Sequence, residues 1–172
     1  MMSGRIFTPP AWVPDEEAER AIFLGGAIGV DAGRDWQAEA AVYIASAGLN
    51  ALDPRPEGWD RAWRQGQDDV RLVERPTWEL AGLERSACAL IFLPAAARVP
   101  ASLLDVGLCV GWGKRIVIAA EPGYWRRGDL EVIARRYAVP LYASLVPALA
   151  RAVRLARGVL VAKRALSPAD GQ

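Results

Sequence analysis

Short apolar runs alternate along the chain with stretches of helical periodicity. Residues 21–24, 49–52, 88–93, 115–119 and 140–142 are strand-length hydrophobic segments bounded by Gly, Pro, Asp or charged residues. Between them the pattern predicts helices over about 35–47, closed by Gly48, 76–86, opened by Pro76, 100–112 and 128–137. A final helix over 145–164 gathers Leu145, Leu149, Val153, Ala156 and Leu160 on one face and leaves Arg151, Arg154 and Arg164 largely off it. That basic row reads first as a solvated face, with phosphate or an acidic partner surface as the alternative. Strands that are apolar throughout, each followed by a helix, imply an α/β fold: a parallel sheet of about five strands covered on both faces.

The pattern also sets the boundaries. Pro9, Pro10, Pro14 and the run Asp15-Glu16-Glu17 make residues 1–19 an irregular N-terminal arm, residues 20–164 form one domain, and residues 165–172 are a loose tail. From Trp59 through Trp63 to Glu74 the chain turns polar, which reads as a long functional loop with some helix. Trp59 and Trp63 in that loop are candidates to stack on a base. Trp36, Trp78 and Trp112, on helical segments, read as core anchors.

Composition narrows the function classes. A hydrophobic share of 52% in 172 residues supplies one substantial core. A net charge of +1, from 21 basic and 20 acidic residues, gives no electrostatic footprint for nucleic acid or an anionic membrane. Partners are therefore expected to be small molecules or another subunit. The apolar runs are too short to span a bilayer and the N-terminus lacks the layout of a signal peptide, so a cytoplasmic location is expected. The chain has no histidine, which removes Ser-His-Asp and Cys-His nucleophile pairs and any His-ligated metal. The acidic residues show no metal-ligand spacing, so neither metal nor cofactor is expected, and Cys88 and Cys109 read as buried free thiols. Acid–base work falls to Asp, Glu, Tyr, Lys or Cys, and a carboxylate needs burial to donate a proton near neutrality.

The most informative stretch is Pro100-Ala101-Ser102-Leu103-Leu104-Asp105-Val106-Gly107, which sets a carboxylate in the opening turns of a helix directly after a hydrophobic strand. The carboxyl ends of strands, followed by helix N-termini, are where open α/β sheets bind ligands. Asp105 is also compatible with a purely structural role near the positive end of the helix dipole. Gly25-Gly26, after the first strand, fits either a tight turn or close approach of a ligand. Asp53-Pro54 can simply start a turn.

In order along the chain, Ile22-Phe23-Leu24-Gly25-Gly26, Asp35-Trp36-Gln37, Asp53-Pro54-Arg55, Thr77-Trp78-Glu79-Leu80 and Ser102-Leu103-Leu104-Asp105-Val106-Gly107 resemble the nucleoside 2-deoxyribosyltransferase-like family. Arg127-Gly128-Asp129 extends the match. The resemblance implies a flavodoxin-like, Rossmann-like three-layer sandwich, a nucleoside or nucleotide substrate, cleavage of an N-glycosidic bond and a homo-oligomer. It makes Asp105 the carboxylate nucleophile, lets Gly25 and Gly26 approach the sugar or a phosphate, and gives Ser102 a sugar hydroxyl or 5′-phosphate to bind. Asp53 would orient or protonate the leaving base. Arg55 would bind a phosphate or hold Asp53, and Glu79 would bind substrate or pair with Arg75 or Arg85.

The chain also departs from the family pattern. The family carries Glu at the position of Asp105, Tyr at the position of Phe23, and Ala-Asp where this chain has Ala87-Cys88. Asp in place of Glu withdraws the carboxylate by about one bond length, ~1.5 Å. Three classes follow: an N-glycosidase or glycosyl transferase, a weakened nucleotide-binding or sensing module, and an assembly protein on the same fold.

Overall fold

The structure, a computed structural model, describes residues 3–28, 35–56 and 71–166. Six strands, β1 (Ile6–Phe7), β2 (Ala21–Gly26), β3 (Asn50–Leu52), β4 (Cys88–Leu93), β5 (Ile116–Ala120) and β6 (Leu141–Tyr142), form one parallel sheet in the order β1-β3-β2-β4-β5-β6. The helices are α1 (Asp15–Ala18), α2 (Trp36–Ser46), α3 (Arg71–Arg85), α4 (Pro100–Gly111), α5 (Arg127–Tyr137) and α6 (Leu145–Leu166).

Period-two alternation within each strand explains the layers. In β4, Cys88, Leu90 and Phe92 join the core under α2 and α6, while Ala89, Ile91 and Leu93 join the core under α1, α3, α4 and α5. Both faces of the strand are buried, so it is apolar throughout, as parallel sheets require. The result is a three-layer α/β sandwich of the flavodoxin-like type. From β2 the chain moves outward to β3 on one side and then returns to β4 on the other. The crevice between the carboxyl ends of β2 and β4 is therefore the topological switch point, where such sheets take ligands.

The sheet has one strand more than the pattern predicts. β1 lies in the stretch read as an irregular arm and pairs Ile6 with Ala51 and Phe7 with Leu52. Two residues are too few to show alternation. The buried Asn50 fixes this arm: its Oδ1 accepts from Arg5 N at 2.9 Å, and its Nδ2 donates to the Glu17 carbonyl at 3.0 Å and the Glu17 carboxylate at 2.6 Å. A second difference is Pro76, which sits inside α3 rather than opening it. Pro76 is exposed, so water can meet the carbonyl that its missing N–H leaves over.

Of the three Trp read as core anchors, Trp36 is buried against Phe92, edge to face with centroids 5.2 Å apart. Trp78 is half-buried and donates its indole N–H to Ala11 O at 2.8 Å. Trp112 is not in the core: it caps α4 at its carboxyl end and is 44% exposed. Its position follows from the helix repeat, because Ser102, Val106 and Cys109 take the inward stripe of α4. Cys88 and Cys109 are buried free thiols, and burial pushes both up to about 12, which makes them inert at neutral pH. Trp59, Trp63, Gly29 and Gly33 lie outside the described residues. Among the described residues no helix is long and apolar enough to cross a membrane.

Candidate active site

Three adjacent strands, β3, β2 and β4, end side by side and carry most of the candidate residues at or just beyond their carboxyl ends. β2 ends in Gly25-Gly26. Gly26 has φ +126°, and a Cβ there would lie 2.1 Å from the carbonyl oxygen of Phe92 on β4. The glycine is thus required by the approach of the neighbouring strand, whose Phe92 carbonyl also accepts from Ala27 N at 3.0 Å. At Gly25 an added Cβ would meet the tip of Ile91 at 2.5 Å. Packing between β2 and β4 is one reason for glycine here, strongest at Gly26.

Beyond β3, Asp53 is 5% exposed and is held on one side by its own backbone, whose N–H donates to Phe7 O at 3.0 Å. Its carboxylate accepts from Arg55 Nε at 3.0 Å and Nη2 at 2.6 Å. The same guanidinium reaches Asp35 through Nη1 at 2.6 Å. Asp35 is the N-cap of α2 and accepts from Ala38 N at 3.0 Å. One arginine therefore clamps the end of β3 to the start of α2. The Asp53 hydrogen bond, opposed by burial and aided by Asp35, drives the Arg55 pKa up, so the guanidinium stays charged at any working pH. Burial pulls the Asp35 carboxyl up, but the Arg55 hydrogen bond, the Ala38 amide and the guanidinium charge outweigh it and leave the pKa lowered. Asp35 was not singled out by sequence reasoning as a site residue. Its sequence signals are the matching segment Asp35-Trp36-Gln37, to which no site role attaches, and the preference for Asp before a helix.

α4 follows β4 and holds the second carboxylate in a different setting. Ser102 and Asp105 lie three residues apart, one turn along the helix, with Ser102 buried and Asp105 half-buried on the flank of the inward stripe. Among the described residues no hydrogen bond or ion pair reaches the Asp105 carboxylate. Burial alone raises its pKa to about 6. Such a carboxylate is largely ionised above neutrality, with no cation or N–H to satisfy it. A partly buried charge without partners in the second turn of the helix after a central strand is an unusual cost to carry in a scaffold.

Glu79 stands apart from this group, half-buried on α3. Arg85, one of its candidate partners, is engaged by Asp15 and by the Val13 carbonyl at 2.6 Å. Next to the Arg55 clamp, Gln37 on α2 is 1% exposed, and its Nε2 has no hydrogen-bond partner. Among the described residues no group of three or more acidic or thiol side chains is arranged to hold a metal ion.

The sequence of elements thus sets an unpartnered, half-buried carboxylate in the second turn of the helix after β4 and a clamped carboxylate just beyond β3. No curated protein matches the chain. The family model described as nucleoside 2-deoxyribosyltransferase like matches residues 19–124, a span that runs from the last residues before β2 past α4 and β5. With more than half its length in that match and with the parallel sandwich that supports it, the chain belongs to the nucleoside 2-deoxyribosyltransferase-like family, whose general role is glycosyl transfer.

Proposed function

We propose that the protein cleaves or transfers at the N-glycosidic bond of a nucleoside or nucleotide, with Asp105 as nucleophile. The observation that carries this reading is the setting of Asp105: half-buried, without hydrogen bond or ion pair among the described residues, in the second turn of the helix after a central strand. In the first step an Asp105 oxygen bonds to the anomeric carbon as the bond to the base nitrogen breaks. The electron pair leaves with the base, which takes up a proton, and a glycosyl ester remains on Asp105. In the second step water or another base attacks the same carbon and releases the carboxylate. The partly desolvated setting suits this chemistry, because an anion with few hydrogen bonds to give up is a better nucleophile and a closer counter-charge for an oxocarbenium-like transition state.

Asp53 has a different part. Its carboxylate accepts three hydrogen bonds from one arginine side chain, which suits holding and orienting a ligand. In this reading Ser102, one turn before Asp105, binds an oxygen of the sugar or its phosphate.

The test is incubation of the native chain and Asp105→Ala with a panel of nucleosides, nucleoside monophosphates and NAD, followed by chromatography of the free base. Release by the native chain alone supports the reading and identifies the substrate. Absence of release from every member, with and without an acceptor base, rejects it in favour of a binding or assembly role.

A further inference from the structure

Among the described residues only two buried side-chain atoms lack a hydrogen-bond partner, Gln37 Nε2 and Tyr124 Oη. Both residues lie beyond the carboxyl end of an interior strand, Gln37 in the first turn of α2 after β2 and Tyr124 four residues past β5. Tyr124 has the Trp125 side chain next to its hydroxyl. Gln37 is the one polar residue among those α2 buries, with Trp36, Ala40, Ala41, Ile44 and Ala45, and is 1% exposed. None of those side chains carries an oxygen to accept from its amide.

The residues before Gln37 fix where that amide stands. Trp36 donates its indole N–H to the carbonyl of Ala27, the residue after β2, at 2.6 Å, and its ring meets Phe92 near the carboxyl end of β4, edge to face at 5.2 Å. Asp35 accepts the backbone N–H of Gln37 and is tied through Arg55 to Asp53, just past β3. The first turn of α2 is therefore held at the carboxyl ends of β2, β3 and β4, which is the topological switch point of the sheet.

An apolar side chain of the same length would fill this position without an unmet donor. Removing a hydrogen-bonding group whose partner is absent is neutral or stabilising for a scaffold, so packing gives no reason for an amide here. A ligand does. Of the two amide atoms only the donor is buried without a partner, so the group that answers it is an acceptor.

We propose that Gln37 reads the base of the substrate by donating from Nε2 to an exocyclic carbonyl oxygen, which makes the base a 6-oxopurine or a 4-oxopyrimidine rather than its amino counterpart. This inference rests on the glycosidic reading above for the rest of the substrate, and on the unmet donor at the switch point for the base. An amino group in place of that carbonyl sets N–H against N–H and leaves both unpaired away from water, where an unpaired polar group costs most.

The experiment compares kcat/KM for base release from inosine against adenosine and from uridine against cytidine, with their 2′-deoxy forms, in the native chain and Gln37→Met. Binding of the free bases to both proteins is measured by calorimetry, and stability by denaturant unfolding. The native chain is expected to prefer the oxo member of a pair by roughly tenfold or more in release and in binding, the scale of one hydrogen bond whose loss strands a buried donor. In Gln37→Met the preference falls towards one while the protein unfolds no more easily than the native chain. A native preference near or below one, or a preference that survives Gln37→Met, overturns the inference. So does a Gln37→Met chain that is less stable or does not fold, because the scaffold itself then satisfies the amide. Oxo-base binding that depends on Gln37 without base release from any nucleoside keeps the inference and rejects the glycosidic reading. Base release without discrimination does the reverse, and neither binding nor release rejects both.

Discussion

Two aspartates lie near the ends of neighbouring stretches of the same sheet and are treated in opposite ways. Asp53, past β3, is buried and fully engaged: one arginine holds it and ties it to the cap of the next helix. Asp105, past β4, is half-buried and engaged by nothing among the described residues. Burying a carboxylate costs free energy in both places, but only at β3 is the cost offset by a partner. On the proposed function, the contrast separates a carboxylate that builds the site from one that is kept available.

The sharpest way to break the comparison is to remove each carboxylate's distinguishing feature in turn. Asp105→Ala is expected to lower base release by at least ~10³-fold while leaving the fold intact, read as kcat with a circular dichroism control. Arg55→Ala acts on the other side. It strands Asp53, whose side chain is 7% exposed, and is expected to cost about 3–5 kcal/mol of stability in denaturant unfolding. If Arg55→Ala instead unfolds like the native chain and only weakens turnover, Asp53 belongs to the reacting machinery and the contrast fails. Gly26→Ala, on the strand between the two, combines a left-handed φ with a backbone clash against Phe92. It is expected to destabilise by about 3 kcal/mol.

The smallest effect is the most discriminating. Asp105 has its pKa raised from 3.8 to about 6 by burial, so the folded state holds its proton more tightly than the unfolded state does. Its contribution to stability is therefore fully present below about pH 4 and is lost as pH rises through about 6. Discounted for its partial exposure, the loss is on the order of 1–2 kcal/mol. Asp105→Asn should unfold with that pH dependence removed and be the more stable protein at pH 8. Turnover should run the other way, rising through pH 6 as the nucleophile ionises. A chain in which activity and stability rise together over that interval would place a different group at the reaction centre.

Much of this fold is legible in the sequence because parallel strands are apolar on both faces and their helices keep a 3.6-residue period. Runs such as residues 88–93 follow directly, whereas the inward stripe of Ser102, Val106 and Cys109, which leaves Trp112 outside the core, does not. β1 escaped the same reasoning because its two residues are specified by the side chain of Asn50 more than forty positions away. In the site, the pairing of Asp53 with Arg55 is within reach of sequence reasoning, since the two are neighbours. The recruitment of Asp35 is not, nor is the unmet amide of Gln37. In sequence Gly25-Gly26 fit a turn or a ligand's approach alike, and the distances to Phe92 and Ile91 add a packing reason that sequence cannot show.

The most direct test of Asp105 as nucleophile is to quench the native protein during turnover and measure its mass intact and after digestion. The expected result is a gain equal to one glycosyl unit, or one phosphoglycosyl unit, confined to the peptide that contains Asp105 and absent in Asp105→Asn. Base release without any glycosylated protein, or an adduct on another residue, would contradict it.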